Sequence, residues 1–114
     1  MQVNTRELAD ILVVELQGEI MGGIDSEKFK NLIYQTIEND VVQLVIDLSR
    51  ATWMNSSGLG MLISGLTTIR SSGGDLRLAN MSERVRRPLE ITKLENVFLS
   101  YASVEEAVES YQPH

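Results

Sequence analysis

Two adjacent hydroxyl side chains, Ser56 and Ser57, lie between an apolar segment at 44–48 and a segment with helical periodicity. Such a segment order predicts a strand that passes directly into a helix. The first N–H groups of a helix have no partner inside it, and the helix dipole favours negative charge there. We therefore expect that a phosphate on Ser56 would be well placed, stabilised by backbone N–H groups near Gly58 and Leu59.

Serine nucleophiles also occur on strand-to-helix turns, so hydrolytic chemistry has to be considered for this pair. The Gly-x-Ser-x-Gly pattern typical of such turns is absent, and the single histidine, His114, is the last residue of the sequence. A serine nucleophile needs a general base held beside it. We therefore assign no catalytic residue and do not expect an enzyme.

The residue types also disfavour a phosphate-binding loop and a metal site. Gly60 and Gly65 have the glycine spacing of a phosphate-binding loop, but Leu66 stands where that loop needs a lysine. Asp47 could ligate a metal, yet no His, Glu or second Asp accompanies it at ligand spacing. We interpret the glycines as packing positions and Asp47 as a turn or capping residue, and we expect neither cofactor nor metal.

The charge balance argues against nucleic acid as the partner. With 16 acidic and 10 basic residues the net charge is −6, which a phosphate backbone would repel. Arg84, Arg86 and Arg87 form one basic cluster, which is either a solvated helix face, the favoured interpretation, or a docking patch for an acidic partner. Cysteine, a signal-peptide pattern and an apolar run of bilayer length are absent from the sequence, so we expect a cytoplasmic protein without membrane insertion.

The elements that position the serine pair follow from hydrophobic periodicity, which predicts one domain over residues 1–114. Strands are predicted at 3–8 and 11–17, paired as a hairpin, and at 41–48, 75–79 and 97–101. Helices are predicted from Asp25 or Ser26 to residue 40, from 59 to about 71, from Ser82 with a kink or later start at Pro88, and after Ser103.

This order of elements predicts an α/β fold. We expect a mixed β-sheet of four to five strands, with an antiparallel N-terminal hairpin followed by parallel strands, packed with about four α-helices. Partners of such sheets bind at the carboxyl ends of the parallel strands, where residues 49–58 emerge. The serine pair is therefore expected on the functional edge of the sheet.

A longer motif includes the serine pair: Asp47-Leu48-Ser49, then five residues, then Asn55-Ser56-Ser57-Gly58-Leu59-Gly60. This motif resembles the signature of STAS domains, specifically the bacterial anti-sigma factor antagonists. The resemblance implies a STAS-like fold, no cofactor and a partner-switching role in transcription regulation. In that role the unmodified protein binds an anti-sigma factor with serine kinase activity, phosphorylation of Ser56 ends the interaction, and a serine phosphatase restores it. A homodimer is compatible with this role.

The resemblance also places a partner-docking surface around Ser56. Its predicted residues are Met21, Trp53, Asn55, Ser57, Gly58, Leu59 and Arg84. Trp53 is either an exposed docking residue or, as we favour, a partly buried packing residue. Asn55 and Met21 stand where the family usually has aspartates, which is compatible with a different partner, a different kinase or a domain that is not phosphorylated.

Two alternatives to the switch remain open. At the residue level, Ser56 could serve only as the N-cap of the following helix, a contribution of about 1 kcal/mol. At the level of the protein, the chain could be a non-phosphorylated STAS interaction or ligand-binding subunit of a signalling assembly or lipid transport complex. A neighbouring gene for a serine kinase or phosphatase would favour the switch, whereas transporter genes would favour the subunit.

Overall fold

The computed structural model, which describes residues 1–112, contains one mixed sheet of six strands and four helices. In chain order the elements are β1 (Gln2–Leu8), β2 (Ile11–Ile20), α1 (Ile24–Glu38), β3 (Gln43–Asp47), β4 (Ala51–Met54), α2 (Ser56–Ser71), β5 (Asp75–Ala79), α3 (Glu83–Ile91), β6 (Ser100–Tyr101) and α4 (Val104–Glu109). The pairing is antiparallel between β1 and β2 and parallel elsewhere. The predicted mixed α/β architecture is confirmed.

The N-terminal hairpin is closed by a two-residue turn. Ala9 and Asp10 both have positive φ angles, of 51° and 67°, and Leu8 lies opposite Ile11. Two consecutive residues with positive φ form the turn whose twist matches that of the flanking strands. The hairpin predicted from the sequence is therefore present, and β1 forms one edge of the sheet.

The sixth strand, β4, extends the sheet beyond the end of β3. Both strands pair with β2: β3 pairs with residues 12–15 of it and β4 with residues 18–20. Between them the chain turns, and the Asp47 carboxylate accepts hydrogen bonds from Ser49 N–H and Asn80 Nδ2, each at 3.0 Å. Asp47 is thus the turn residue that the sequence predicted, and the additional strand raises the count from four or five to six.

Helix starts differ from the predicted ones in α1 and α2, and one alternative for α3 is excluded. α2 begins at Ser56, three residues before the predicted start at 59. α1 begins at Ile24 with Gly23 as its N-cap, so neither Asp25 nor Ser26 supplies a capping side chain. A later start of α3 is also wrong, because Ser82 Oγ accepts from Val85 N–H at 3.4 Å and the helix begins directly afterwards, with Pro88 inside it.

Two predicted strands are shorter in the structure. The segment predicted at 41–48 forms a strand only over Gln43–Asp47, and that at 97–101 only over Ser100–Tyr101. In the second case Val97 N–H donates to Leu94 O at 3.0 Å, a turn contact. β6 pairs with β5 only over its two residues.

The sheet separates two apolar layers. The larger layer lies under α1, α2 and α3, and the smaller one, which includes Val13 and Val45, lies under α4. α1 and α2 approach closely at Gly65, where an added Cβ would lie 2.5 Å from Phe29 Cε2. The sequence predicted that Gly60 and Gly65 pack against the sheet; Gly65 packs against α1 instead, and an added Cβ on Gly60 would meet nothing within 4 Å, so the packing role predicted for Gly60 is wrong. The three helices of the larger layer surround the end of the sheet where the serine pair lies.

Candidate functional site

Ser56 is the exposed first residue of α2 and follows β4 after a single intervening residue. That residue, Asn55, is the N-cap: its Oδ1 accepts from Gly58 N–H at 2.8 Å, and its backbone O accepts from Leu59 N–H at 3.0 Å. The alternative in which Ser56 is the N-cap is therefore wrong, because Asn55 fills that position. The Ser56 hydroxyl is left with no capping function.

The N–H groups that could meet an anion at this site also differ from those predicted. The Gly58 and Leu59 N–H groups are occupied by Asn55, so they are not available to a phosphate. Ser56 and Ser57 are the first two helical residues, whose N–H groups have no partner within a helix. A phosphate on Ser56 would therefore lie next to these two N–H groups.

A close backbone contact between α2 and the end of β2 fixes the position of the serine pair. An added Cβ on Gly58 would lie 2.1 Å from Ile20 O, so only glycine fits there. The same Ile20 carbonyl accepts from Asn55 N–H at 3.2 Å. The start of α2 is thereby held against the last residue of β2.

The loop after β2 packs beside Ser57. Gly22 has a φ of +80°, and an added Cβ there would lie 2.9 Å from Ser57 Cβ. Met21, the residue before it, is 46% exposed. Met21 thus precedes the glycine that packs against Ser57, and its own side chain lines a separate hollow with Met1, Glu19 and Ile24. Its docking role stays a prediction.

Two of the predicted docking residues are buried instead. Gly58 is enclosed by the Ile20 backbone, and Leu59 is 2% exposed within the larger apolar layer. Neither residue presents a side chain at the surface, because both lie on the core side of α2. Their predicted docking role is replaced by a structural one, which is to set the position of Ser56.

A cleft of about 340 Å³ opens beside Ser56. One side is the stretch Trp53–Ser56 at the junction of β4 and α2, and the other is a face of α3. The α3 residues that line it are Arg84, Arg87, Pro88 and Ile91, followed by Thr92. The spacing 84, 87, 88, 91 is that of one helix face, whereas Val85 and Leu89 are buried in the core.

The sequence predicted only one of the α3 residues in this cleft. Arg84 was expected at the site, whereas Arg87 was named only in the basic cluster, for which a solvated helix face was favoured. Ile91 was not predicted, although its helical spacing from Arg84 could have indicated it. Ile91 is 73% exposed, and Ile24 near Met21 is 91% exposed. Trp53 is half-buried, as the packing interpretation expected, and it also lines the cleft. The site therefore combines the hydroxyl of Ser56 with exposed apolar side chains.

The cleft carries positive charge. No acidic residue lines it, and Arg84 and Arg87 take part in none of the ion pairs found among residues 1–112. One acidic group, Glu19, lines an adjoining hollow together with Thr52, Trp53 and Arg84. A chain with a net charge of −6 thus has a locally cationic surface next to Ser56.

Other kinds of site are not found in the described part of the chain. Residues 1–112 contain no group of three or more His, Cys, Asp or Glu side chains that could hold a metal ion. Within the same residues, no helix has both the length and the apolar character needed to cross a membrane. His114, considered above as a general base, lies outside the described residues.

The sequence is similar to those of proteins named as anti-sigma factor antagonists. A candidate anti-sigma factor antagonist of Thermotoga maritima is 26% identical over 104 residues, which cover 90% of this chain and 92% of the relative. The anti-sigma-B factor antagonist of Bacillus subtilis is 37% identical over 54 residues, 47% of this chain and 50% of that protein.

Solved structures show the same fold. The anti-sigma factor antagonist SpoIIAA in its unphosphorylated form matches with a TM-score of 0.80 at 22% identity, and the match covers 96% of both chains. The phosphorylated form of the Bacillus cell fate determinant SpoIIAA matches with a TM-score of 0.74 at 20% identity, covering 97% of this chain and all of that one. The STAS domain model matches residues 2–107, and the chain therefore belongs to the STAS domain family.

Proposed function

We propose that this protein is a cytoplasmic anti-sigma factor antagonist controlled by phosphorylation of Ser56. The observation that carries the proposal is the exposed Ser56 hydroxyl at the first position of α2. Because Asn55 caps the helix, this hydroxyl has no capping role, and it lies beside a cleft of about 340 Å³. Relatives named as anti-sigma factor antagonists, and a solved structure of SpoIIAA in a phosphorylated form, support this choice among STAS functions.

The unphosphorylated protein binds its anti-sigma factor through the exposed surface around Ser56. Apolar side chains suited to such contact are present, since Met21 and Ile91 are 46% and 73% exposed and Trp53 lines the cleft. Exposed apolar groups next to a polar rim are typical of protein interfaces. The partner covers Ser56 in the complex.

A phosphate at Ser56 ends this interaction by adding about 1.5 to 2 negative charges and three acceptor oxygens. Within the domain the new charge is stabilised by the N–H groups of Ser56 and Ser57 and by the helix dipole. The partner, in contrast, would have to bury a dianion without a matching charge, at a cost of several kcal/mol. Since about 1.4 kcal/mol corresponds to a tenfold change in Kd, one phosphate is sufficient for release.

The chemistry of the switch belongs to the partners. The anti-sigma factor transfers the phosphoryl group as a serine kinase, and a serine phosphatase removes it. This chain supplies the acceptor, and the small, exposed side chain of Ser57 next to it leaves room for a kinase active site. The protein acts as a regulator and not as an enzyme.

The acceptor residue can be tested by incubating the protein with its co-purified kinase partner and ATP, followed by mass spectrometry and peptide mapping. We expect one phosphate on the wild type, one on Ser57→Ala and none on Ser56→Ala. The matched Ser57 variant controls for general changes at the start of α2. No incorporation into the wild type, or incorporation at Ser57, would contradict the proposal.

The effect on binding can be tested without a kinase reaction, by titrating the anti-sigma factor with variants of this chain. Ser56→Ala should keep the wild-type affinity, and Ser56→Asp should weaken it at least tenfold. Ser64→Asp adds the same charge to an exposed position two turns along α2 and should leave the affinity unchanged. Equal affinities for Ser56→Ala and Ser56→Asp would argue against a switch at this residue.

A further inference from the structure

We propose that Arg84 and Arg87 of α3 bind the phosphate of phosphorylated Ser56 within the same chain. This inference rests on the proposed phosphorylation of Ser56 and adds an internal receptor for the phosphate. In the phosphorylated protein the phosphate links the start of α2 to the face of α3 across the cleft. Phosphorylation then has two effects: it adds negative charge, and it fills the cleft with the phosphate of the same chain.

The first argument is geometric. Ser56, Arg84 and Arg87 line one cleft, with Ser56 on its β4–α2 side and both arginines on its α3 side. Arg84 and Arg87 are three residues apart on a helix, so they lie on the same face one turn from each other. Their long side chains are exposed and line the same cleft as Ser56, to which the phosphate is attached.

The second argument is electrostatic. Among residues 1–112 the ion pairs involve Asp25 and Asp75 as acids, and neither pairs with Arg84 or Arg87. The charged groups around the phosphate position are these two arginines, Glu19 in the adjoining hollow, and on α3 itself Glu83 and Glu90, four residues before and three after Arg87. Neither Glu83 nor Glu90 lines the cleft, and neither forms one of the ion pairs found among residues 1–112. Two guanidinium groups thus match the two charges of a phosphate dianion.

Guanidinium is also the side-chain group best suited to phosphate. It donates two parallel hydrogen bonds to phosphate oxygens, and such charge-assisted pairs are about twice as strong as neutral hydrogen bonds. The third arginine of the cluster, Arg86, is exposed and does not line the cleft. The chain therefore contains its own control, an arginine of the same helix that lies outside the cleft.

Binding within the chain has a consequence for partner release. A phosphate held by Arg84 and Arg87 lies between the β4–α2 junction and α3, where it separates Trp53 from Ile91 across the cleft. A partner segment that occupies this cleft in the complex is then excluded by the phosphate and by the loss of both positive charges. Release follows even where the partner surface is not acidic.

The test uses the full chain with phosphoserine installed at position 56 during translation, so that neither a kinase nor a partner enters the experiment. A ³¹P NMR titration gives the second pKa of the phosphate. We expect this pKa to lie about one unit below the usual value of about 6 in the wild type, because nearby positive charge favours the dianion. Arg84→Gln and Arg87→Gln should each raise it, and the double variant should raise it furthest, leaving only the lowering that the N–H groups at the start of α2 cause.

Arg86→Gln is the matched control and should leave the titration unchanged. As a second measurement that needs no variant, the side-chain N–H resonances of Arg84 and Arg87, but not of Arg86, should shift on phosphorylation. The same pKa in the wild type and the double variant, together with unmoved arginine resonances, would overturn the inference. Failure of a kinase to modify Ser56 would instead contradict the proposed function and leave this result intact.

Discussion

Gly58 sets the distance between the start of α2, where Ser56 lies, and the end of β2. A Cβ at this position would lie 2.1 Å from Ile20 O, and the contact is with backbone, which cannot move aside as a flexible side chain could. We therefore expect Gly58→Ala to lower the free energy of unfolding by about 1–3 kcal/mol, despite the better helix propensity of alanine. Urea unfolding monitored by circular dichroism measures the difference.

Gly60 is the matched control, because it lies in the same helix but an added Cβ would meet nothing within 4 Å. Gly60→Ala should raise the free energy of unfolding by about 0.4–1 kcal/mol through the lower entropy of the unfolded chain. If both alanine variants changed stability in the same direction, the close approach at Gly58 would be the wrong explanation.

Capping and phosphorylation reside in different residues, because Asn55 caps α2 and Ser56 is the proposed acceptor. Asn55→Ala removes the acceptor of the Gly58 N–H, and we expect it to cost about 0.5–2 kcal/mol of stability. Asn55→Asp keeps an acceptor and places a negative charge at the helix N-terminus, so its free energy of unfolding should equal or exceed that of the wild type. Thermal unfolding of the three proteins compares them, and an alanine variant as stable as the wild type would contradict the cap assignment.

At the scale of elements, the segment after α4 fastens that helix to the sheet. Tyr111 Oη donates to Leu44 O at 2.7 Å, and the Arg77 guanidinium lies 3.9 Å from the centre of the Tyr111 ring. Arg77 also donates to Ser110 Oγ at 2.7 Å and pairs with Asp75 at 3.1 Å. α4 covers its face of the sheet alone, so these contacts bear on the stability of the whole layer.

Burial, with the charge of Asp75 adding to it, raises the pKa of Tyr111 above its ordinary value of 10.0, although Arg77 and the Leu44 hydrogen bond oppose this. Above pH 10 the unfolded chain ionises this phenol while the folded chain retains the proton. Stability must then fall as pH rises, since the folded state binds more protons. We expect the wild type to lose more stability between about pH 8 and about pH 11 than Tyr111→Phe does, measured by urea unfolding.

Tyr34→Phe is the control for this pH dependence, because Tyr34 is 48% exposed. Its loss of stability between the two pH values should match that of the wild type. At the lower pH Tyr111→Phe should itself be less stable by about 1 kcal/mol, because Leu44 O loses its hydrogen-bond donor. An equal alkaline loss in all three proteins would show that the phenol does not contribute.

The elements differ in how far the sequence could predict them. α2 is predictable from 59 onward because its apolar stripe is long and regular, whereas its first three residues carry no such stripe. β4 is not, since four residues carry no clear period and their pairing with the far end of β2 depends on the bulge between Gly18 and Glu19. The cleft was only partly predicted for a related reason: it exists because α3 packs against β4, a tertiary contact that local patterns do not encode.

At the scale of the whole molecule, the position of Ser56 predicts that phosphorylation leaves the fold unchanged. The hydroxyl is exposed, the adjacent N–H groups are those of the first helical turn, and the residues beneath are close-packed against Ile20. Protein interiors are close-packed and resist deformation. A phosphate that binds N–H groups already exposed at the start of α2 should therefore not displace the sheet. The radius of gyration of 12.8 Å should therefore stay the same in both states.

The effect of phosphorylation should stay on the side of the sheet that carries Ser56. Amide chemical shifts should change at the start of α2 and along the Arg84–Ile91 face of α3, which line the cleft, and in the 21–23 loop, where Gly22 lies beside Ser57. The opposite apolar layer, with Val45 and Val104, lies across the sheet from the site and should keep its shifts. A two-dimensional NMR comparison of the protein with and without phosphoserine at position 56 measures this. Shifts of the α4 residues as large as those of α3 would mean that the switch acts through the sheet and not at its surface.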